Sequence, residues 1–410
     1  MVGAGIFALL GEASAIAGSA VYISFIVGGI IALSSAYSLG KLGAAFPSSG
    51  GIIEYLSQSF GIGFFTGSMS IMLYFSAVVS LSLVAKAFAN YAMTFLPAGA
   101  SPLWHSVFTA GIVILFVLIN LEGAKDVAVW ERLTVAVKFI VLCVLSVAGI
   151  MFLNPDLVSP SHYPPTRNIF FSLAVTFFAF EGFRVITNTA EDMPDPSSTL
   201  PRAMMAAVVL VMFLYVAISF AVFGNLPVEK VIAAKDFALA QAALPVFGTI
   251  GFTVVTITAL IATASAINAS LYAVTNVTYQ LAKEGELPQA FGVPIAHSRE
   301  GLVISGILII VLSLFFDLTE IAAIGSITVL LVHGITHIGH LKIISKTGAS
   351  YFLVIVAAVL CVGAMALALF YVIGKSTHVG WVLLGFLLVA ASTEILLQKI
   401  YKREVKPRIV

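Results

Sequence analysis

NIFFSLAVTFFAFEGFRVITNTA, residues 168–190, decides how this chain has to be read. A helix needs about 20 mostly apolar residues to cross a bilayer, and this stretch supplies them with only two charges, Glu181 and Arg184, on either side of Gly182. The pattern predicts a helix that breaks near Gly182. Backbone N–H and C=O groups freed by a break cannot be satisfied by lipid, so they must face a polar cavity. Five spans earlier, MVGAGIFALLG at 1–11 sets Gly3 and Gly5 in the same kind of context. Either glycine site alone reads as a packing position, common in membrane helices. Matched interruptions in two halves predict an inverted repeat with a site at the bilayer midplane.

The rest of the chain agrees with a membrane interior. Of 410 residues, 60% are hydrophobic and 10% charged, against about 25% charged in a soluble domain. Apolar segments fall near 1–19, 21–46, 63–96, 103–120, 127–153, 168–190, 200–224, 246–282, 301–316, 320–342, 349–373 and 379–400. They are long, continuous and rich in Leu, Ala and Phe, so helices are expected rather than alternating barrel strands. The net charge of +1 argues against a nucleic-acid partner. Cys143 and Cys361 sit in apolar runs and form no spaced pair, so neither a disulfide framework nor a zinc site is expected.

Lys and Arg in the connections set the expected orientation. With the C-terminus in the cytoplasm, thirteen fall on the inner side, among them Lys41, Lys125, Arg132 and the tail, and four (Arg167, Lys230, Lys235, Lys375) on the outer side. Both termini are therefore expected in the cytoplasm, in a multi-pass protein of the cell membrane. No basic region of a signal peptide precedes the first span. That span also lacks a half preceding its glycines, so the first helix is expected to be incomplete. Residues 1–153 form the expected first repeat and 154–345 the second. Helices eleven and twelve follow at 346–400, then a basic tail at 401–410.

Charges inside spans are expensive and mark candidate functional positions. A cation near the bilayer centre costs at least about 2.5–3.5 kcal/mol, which singles out Lys138 in the fifth span. Desolvation favours the neutral form of an amine, so a lysine there is suited to binding and releasing a proton; snorkelling to the cytoplasmic side is the alternative. Lys86 is expected to be structural, and Glu12 a solvated vestibule residue. Glu181 and Arg184 are three apart and either pair with one another or present Glu181 to a cationic substrate. His333, His337 and His340 share one helical face. Three imidazoles are a conceivable metal site, but no carboxylate or cysteine joins them in that span, so a structural or solvated stripe is expected. No H-E-x-x-H or G-x-S-x-G motif suggests an enzyme, no repeated filter loop suggests a channel, and no cofactor is called for.

Five stretches carry a family resemblance: VGAGIF at 2–7, ALSSAYSLGKLGAAFPSSGGIIEYL at 32–56, NLEGAKDVAVWERLTVAVKF at 120–139, FFAFEGFRVITNTAEDMPDPSSTLPRAM at 177–204 and NASLYAVTNVTYQLAKEGELPQAF at 268–291. Together they resemble the amino acid–polyamine–organocation superfamily of secondary transporters. The likeness is greatest to its proton-coupled amino-acid transporters, resting on Lys138 and GFRVITN at 182–188. The resemblance implies an all-α fold of two inverted five-helix repeats plus two helices, like the leucine transporter. It implies an amino-acid site between spans one and six. The substrate carboxylate would lie on the backbone of Gly3, Ala4 and Gly5, its ammonium on carbonyls of Phe178, Ala179 and Glu181, and Phe183 would cover it. In sodium-coupled relatives of the fold a sodium ion lies between spans one, five and eight. Lys138 would replace it here, with Ser265 and Thr263 as the contribution of span eight. Amino-acid uptake by proton symport and alternating access is the implied activity, with exchange or polyamine carriage as the alternative. Glu181 and Arg184 depart from the family pattern, where those positions are often apolar and often acidic or glycine respectively.

Overall fold

The computed structural model describes residues 2–97, 99–122, 127–284 and 287–399, so Lys125 and the basic tail 401–410 lie outside the described residues. Each of the twelve apolar segments is helical. In chain order α1 is Ala4–Ala17, α2 Val21–Ala45, α3 Ile52–Phe60, α4 Phe64–Met93, α5 Leu103–Glu122 and α6 Val127–Met151. The sixth span is composite, with α7 Thr166–Phe171, α8 Leu173–Thr176 and a 3-10 helix Phe177–Asp192. Then come α9 Pro196–Phe223, α10 Val228–Ala233, α11 Ala238–Glu284, α12 Glu300–Phe315, α13 Leu318–Lys342, α14 Tyr351–Lys375 and α15 Thr377–Lys399. A two-residue hairpin, β1 Pro294–Ile295 with β2 Ser298–Arg299, precedes α12.

Among the described residues, ten helices are long and apolar enough to cross a membrane, with 5–45 running as one and α12 shorter than the rest. Backbone chemistry sets the breaks between them. Gly18 turns the chain between α1 and α2 with φ +54°, a conformation that only glycine adopts without strain. Gly248 does the same at φ +64°, kinking α11 so that 249–284 leaves 238–247 at an angle. Asp317 and Glu320 close a capping box at the start of α13, satisfying two amides that would otherwise be orphaned.

Burial separates inner from peripheral helices. Ile6 to Leu10 of α1 and Phe177, Phe180 and Phe183 of the sixth span are almost completely enclosed. Around them, α2 packs along α9, α4 along α11 and α13, and α6 along α9 and α11. On the outside, Leu118 of α5, Ile140 and Val147 of α6, and Phe352 and Phe370 of α14 are exposed. Large apolar side chains covering whole helix faces suit hydrocarbon, not water.

Two local results differ from the sequence reading. The sixth span does not break at Gly182 but tightens into a 3-10 helix that continues to Asp192. Side chains three apart eclipse in such a helix, and Phe177, Phe180 and Phe183 repeat at that interval. One buried aromatic stripe therefore holds the winding in register. The histidines of α13 take the structural alternative of the two expected, and the difference is that none is solvated. His333 Nδ1 hydrogen-bonds Ser35 at 3.2 Å, and His337 bonds Ser35 through Nε2 and Ser38 through Nδ1, each at 2.9 Å. His340 bonds Ser38 and Thr347 at 2.8 Å each. The stripe is a ladder tying α13 to α2.

Candidate functional site

The first turn of α1 lies against the middle of the sixth span. A Cβ added at Gly5 would stand 3.0 Å from both the Cα and the carbonyl oxygen of Ala179, so glycine there permits the approach of the two backbones. At Gly3 an added Cβ would meet only the Ala266 methyl, at an ordinary 3.5 Å. The α1 helix starts at Ala4, and Gly3 provides no side-chain cap. The opening amides of a helix have no acceptor within it, and they carry the positive end of its dipole.

Beside this turn is a cavity of about 410 Å³, in the range of small-molecule sites. Gly3 and Gly5 line it from α1, and Phe178, Ala179, Glu181 and Gly182 from the sixth span. Lys138 enters from α6 and Ser265 from α11. Lys138 is 7% exposed. The fold thus brings together, at one cavity wall, residues separated by up to 262 positions in sequence between Gly3 and Ser265.

Several expected site residues sit elsewhere or act differently. Phe183 does not line the cavity. It is fully buried, with its ring edge-on to His333, because it belongs to the aromatic stripe on the packed side of the 3-10 helix. Thr263 is fully buried, with its hydroxyl donating to the Ala259 carbonyl at 2.7 Å. Two residues apart on an α-helix point about 200° apart, so Ser265 and Thr263 do not face the cavity together. The Ala179 carbonyl accepts the Tyr215 hydroxyl at 3.1 Å, and without a break at Gly182 the neighbouring carbonyls are not freed by unwinding. The side chain of Ala4 lies outside the described residues.

Four other charges of the early and middle spans have partners nearby. Lys86 Nζ donates to the Ser313 carbonyl at 2.9 Å, joining α4 to α12. Glu12 is 2% exposed and accepts the Thr319 hydroxyl. It is therefore a buried link between α1 and α13, not the solvated vestibule residue expected. Glu181 and Arg184 form an ion pair, the first of the two alternatives, and the paired Glu181 also lines the cavity. Sequence reading missed the contribution of α4, whose Ser80, Leu83 and Val84 form one cavity wall. No charge or glycine marks those residues.

The model of a family described as amino acid permease matches residues 1–391. The chain belongs to this family. The permease is 34% identical over 405 residues to the Methanocaldococcus jannaschii protein MJ0609, covering 98% of this chain and 93% of that one. It is 35% identical over 337 residues to the inner membrane transport protein YbaT of Escherichia coli, covering 81% and 78% respectively. Against the serine/threonine exchanger SteT of Bacillus subtilis it is 24% identical over 305 residues, covering 71% and 66%. The permease is therefore a multi-span membrane transporter of amino acids, with a small-molecule substrate, and not an enzyme.

Proposed function

We propose that the permease moves amino acids together with protons by alternating access, using the cavity between α1 and the sixth span. One observation carries this reading: Lys138, nearly buried, shares a cavity wall with Gly3, Gly5 and Ser265. A fixed ammonium beside the substrate site leaves neither room nor a favourable field for sodium. A dry gap between helices penalises the charged form of an amine, so the proton is released more readily there than in water. Protonated, it holds α6 towards α1 and α11; neutral, it loosens them. If the proton's affinity differs between the outward and inward states, the two fluxes are linked.

The substrate carboxylate lies at the opening amides of α1, Gly3 to Gly5, where the helix dipole favours an anion. The ammonium lies towards Phe178, Ala179 and Glu181. Pairing with Arg184 removes the support that an unopposed Glu181 would lend to a polyamine carrier. In this reading 1–153 and 154–345 are the two inverted repeats. The permease sits in the cell membrane with both ends in the cytoplasm, as the Lys and Arg asymmetry favours. Uptake of a panel of labelled amino acids into sodium-free proteoliposomes tests the proposal. Accumulation should follow an imposed acidic exterior, and sodium-stimulated uptake indifferent to that gradient would refute it.

A further inference from the structure

The coupling scheme leaves the Glu181–Arg184 pair unused. The 3-10 winding stacks residues three apart, so the two side chains meet on the cavity-lining face, 7% and 11% exposed. Glu181 lines the central cavity and also a second one beyond it, which Arg184 lines too. The two cavities share Ser80, Val185, Ala269 and Ser270 as well, and the pair stands at their junction. Among the described residues, the remaining lining of both is uncharged apart from Lys138.

We propose that this pair is a specificity-determining element that sets the permease for amino acids with uncharged side chains. The proposal rests on the reading of the central cavity as the amino-acid site. The physical reason is mutual cancellation. In a poorly hydrated passage, a lone carboxylate attracts a cationic side chain strongly and repels an anionic one, and a lone guanidinium does the opposite. Closed on each other, the two offer a charged side chain no partner, while the cost of stripping its water remains. Each residue therefore masks the other, and removing one should unmask a binding group of known sign.

The test is competition by L-lysine and L-glutamate against labelled L-alanine counterflow in proteoliposomes. The wild type should be weakly inhibited by both. R184Q should become at least tenfold more sensitive to lysine, and E181Q at least tenfold more sensitive to glutamate. The neutral double variant E181Q/R184Q and the reversed pair E181R/R184E should both return to weak inhibition by each. Unchanged lysine-to-glutamate ratios in the single variants overturn the proposal. So does strong inhibition of the wild type by lysine. Loss of activity in both single variants that neither double variant rescues marks the pair as purely structural and overturns it too. The charge-reciprocal pattern without any response to a pH gradient contradicts proton coupling and leaves this proposal standing. Proton-driven uptake with flat ratios does the reverse.

Discussion

Gly3 and Gly5 look alike in sequence and differ in space. At Gly5 a methyl would press on the Ala179 backbone at 3.0 Å. Gly5→Ala should therefore cost about 1–3 kcal/mol, as overpacking does, and lower the unfolding temperature in detergent. Gly3→Ala has an ordinary contact to Ala266 and should leave that temperature unchanged. Gly3→Leu, which reaches into the cavity, should weaken substrate binding without a matching loss of stability. Equal thermal shifts for the two alanine variants would show that the α1 contact with the sixth span is misplaced. Phe183 yields a prediction of the opposite kind. Buried against His333, it should cost about 3–5 kcal/mol on truncation to alanine and leave selectivity across side-chain sizes alone. A changed selectivity profile in a protein of normal stability would return Phe183 to the cavity.

At the scale of elements, the ladder between α2 and α13 is open to a direct test. His337→Ala removes two hydrogen bonds, to Ser35 and Ser38, and should lower stability by about 1–3 kcal/mol. Among the described residues Thr336 bonds within its own helix, to the Val332 carbonyl at 2.7 Å, so Thr336→Ala is the milder control. Thermal unfolding of both variants measures the difference, and equal losses would deny the ladder its role. At the start of α9, hydroxyls of Ser197 and Ser198 donate to the Asp195 carboxylate and hold its pKa below the usual value of 3.8. A depressed carboxylate stabilises the folded state above its unfolded pKa, and this contribution fades as pH falls through the folded one. Amide protection in the first turn of α9, taken relative to the intrinsic exchange rate at each pH, should therefore fall below about pH 3.8, and Asp195→Asn should flatten that response. The 3-10 segment was partly legible. Phe177, Phe180 and Phe183 recur every third residue, a period that fits neither an α-helix nor a break. Gly182 and its polar neighbours carry the competing signal of a break.

For the whole molecule, the spans were readable because a run of about 20 apolar residues has few alternatives in a bilayer. The meeting of the first and sixth spans was implied by the family resemblance; of the glycines read as a pair of breaks, Gly5 makes the close approach and Gly182 interrupts nothing. What lay beyond reading was pairing at a distance. Glu12 is buried because Thr319, 307 residues away, meets it. The histidines are buried because serines about 300 residues earlier hydrogen-bond their ring nitrogens. Ser80 joins the cavity through the packing of α4 alone, and Thr263 drops out because helical rotation turns it from Ser265. Lys138 is legible in the sequence as the one charge in the apolar run 133–155, and the fold places it at the cavity. Its role as coupling group is the central claim, and one comparison tests it most directly. Wild type and Lys138→Ala are reconstituted into sodium-free proteoliposomes, and labelled L-alanine uptake is followed with and without an acidic exterior. The account predicts gradient-driven accumulation by the wild type. It also predicts that the variant binds alanine yet does not respond to the gradient, with or without added sodium. A variant that still accumulates alanine in response to the gradient would contradict it.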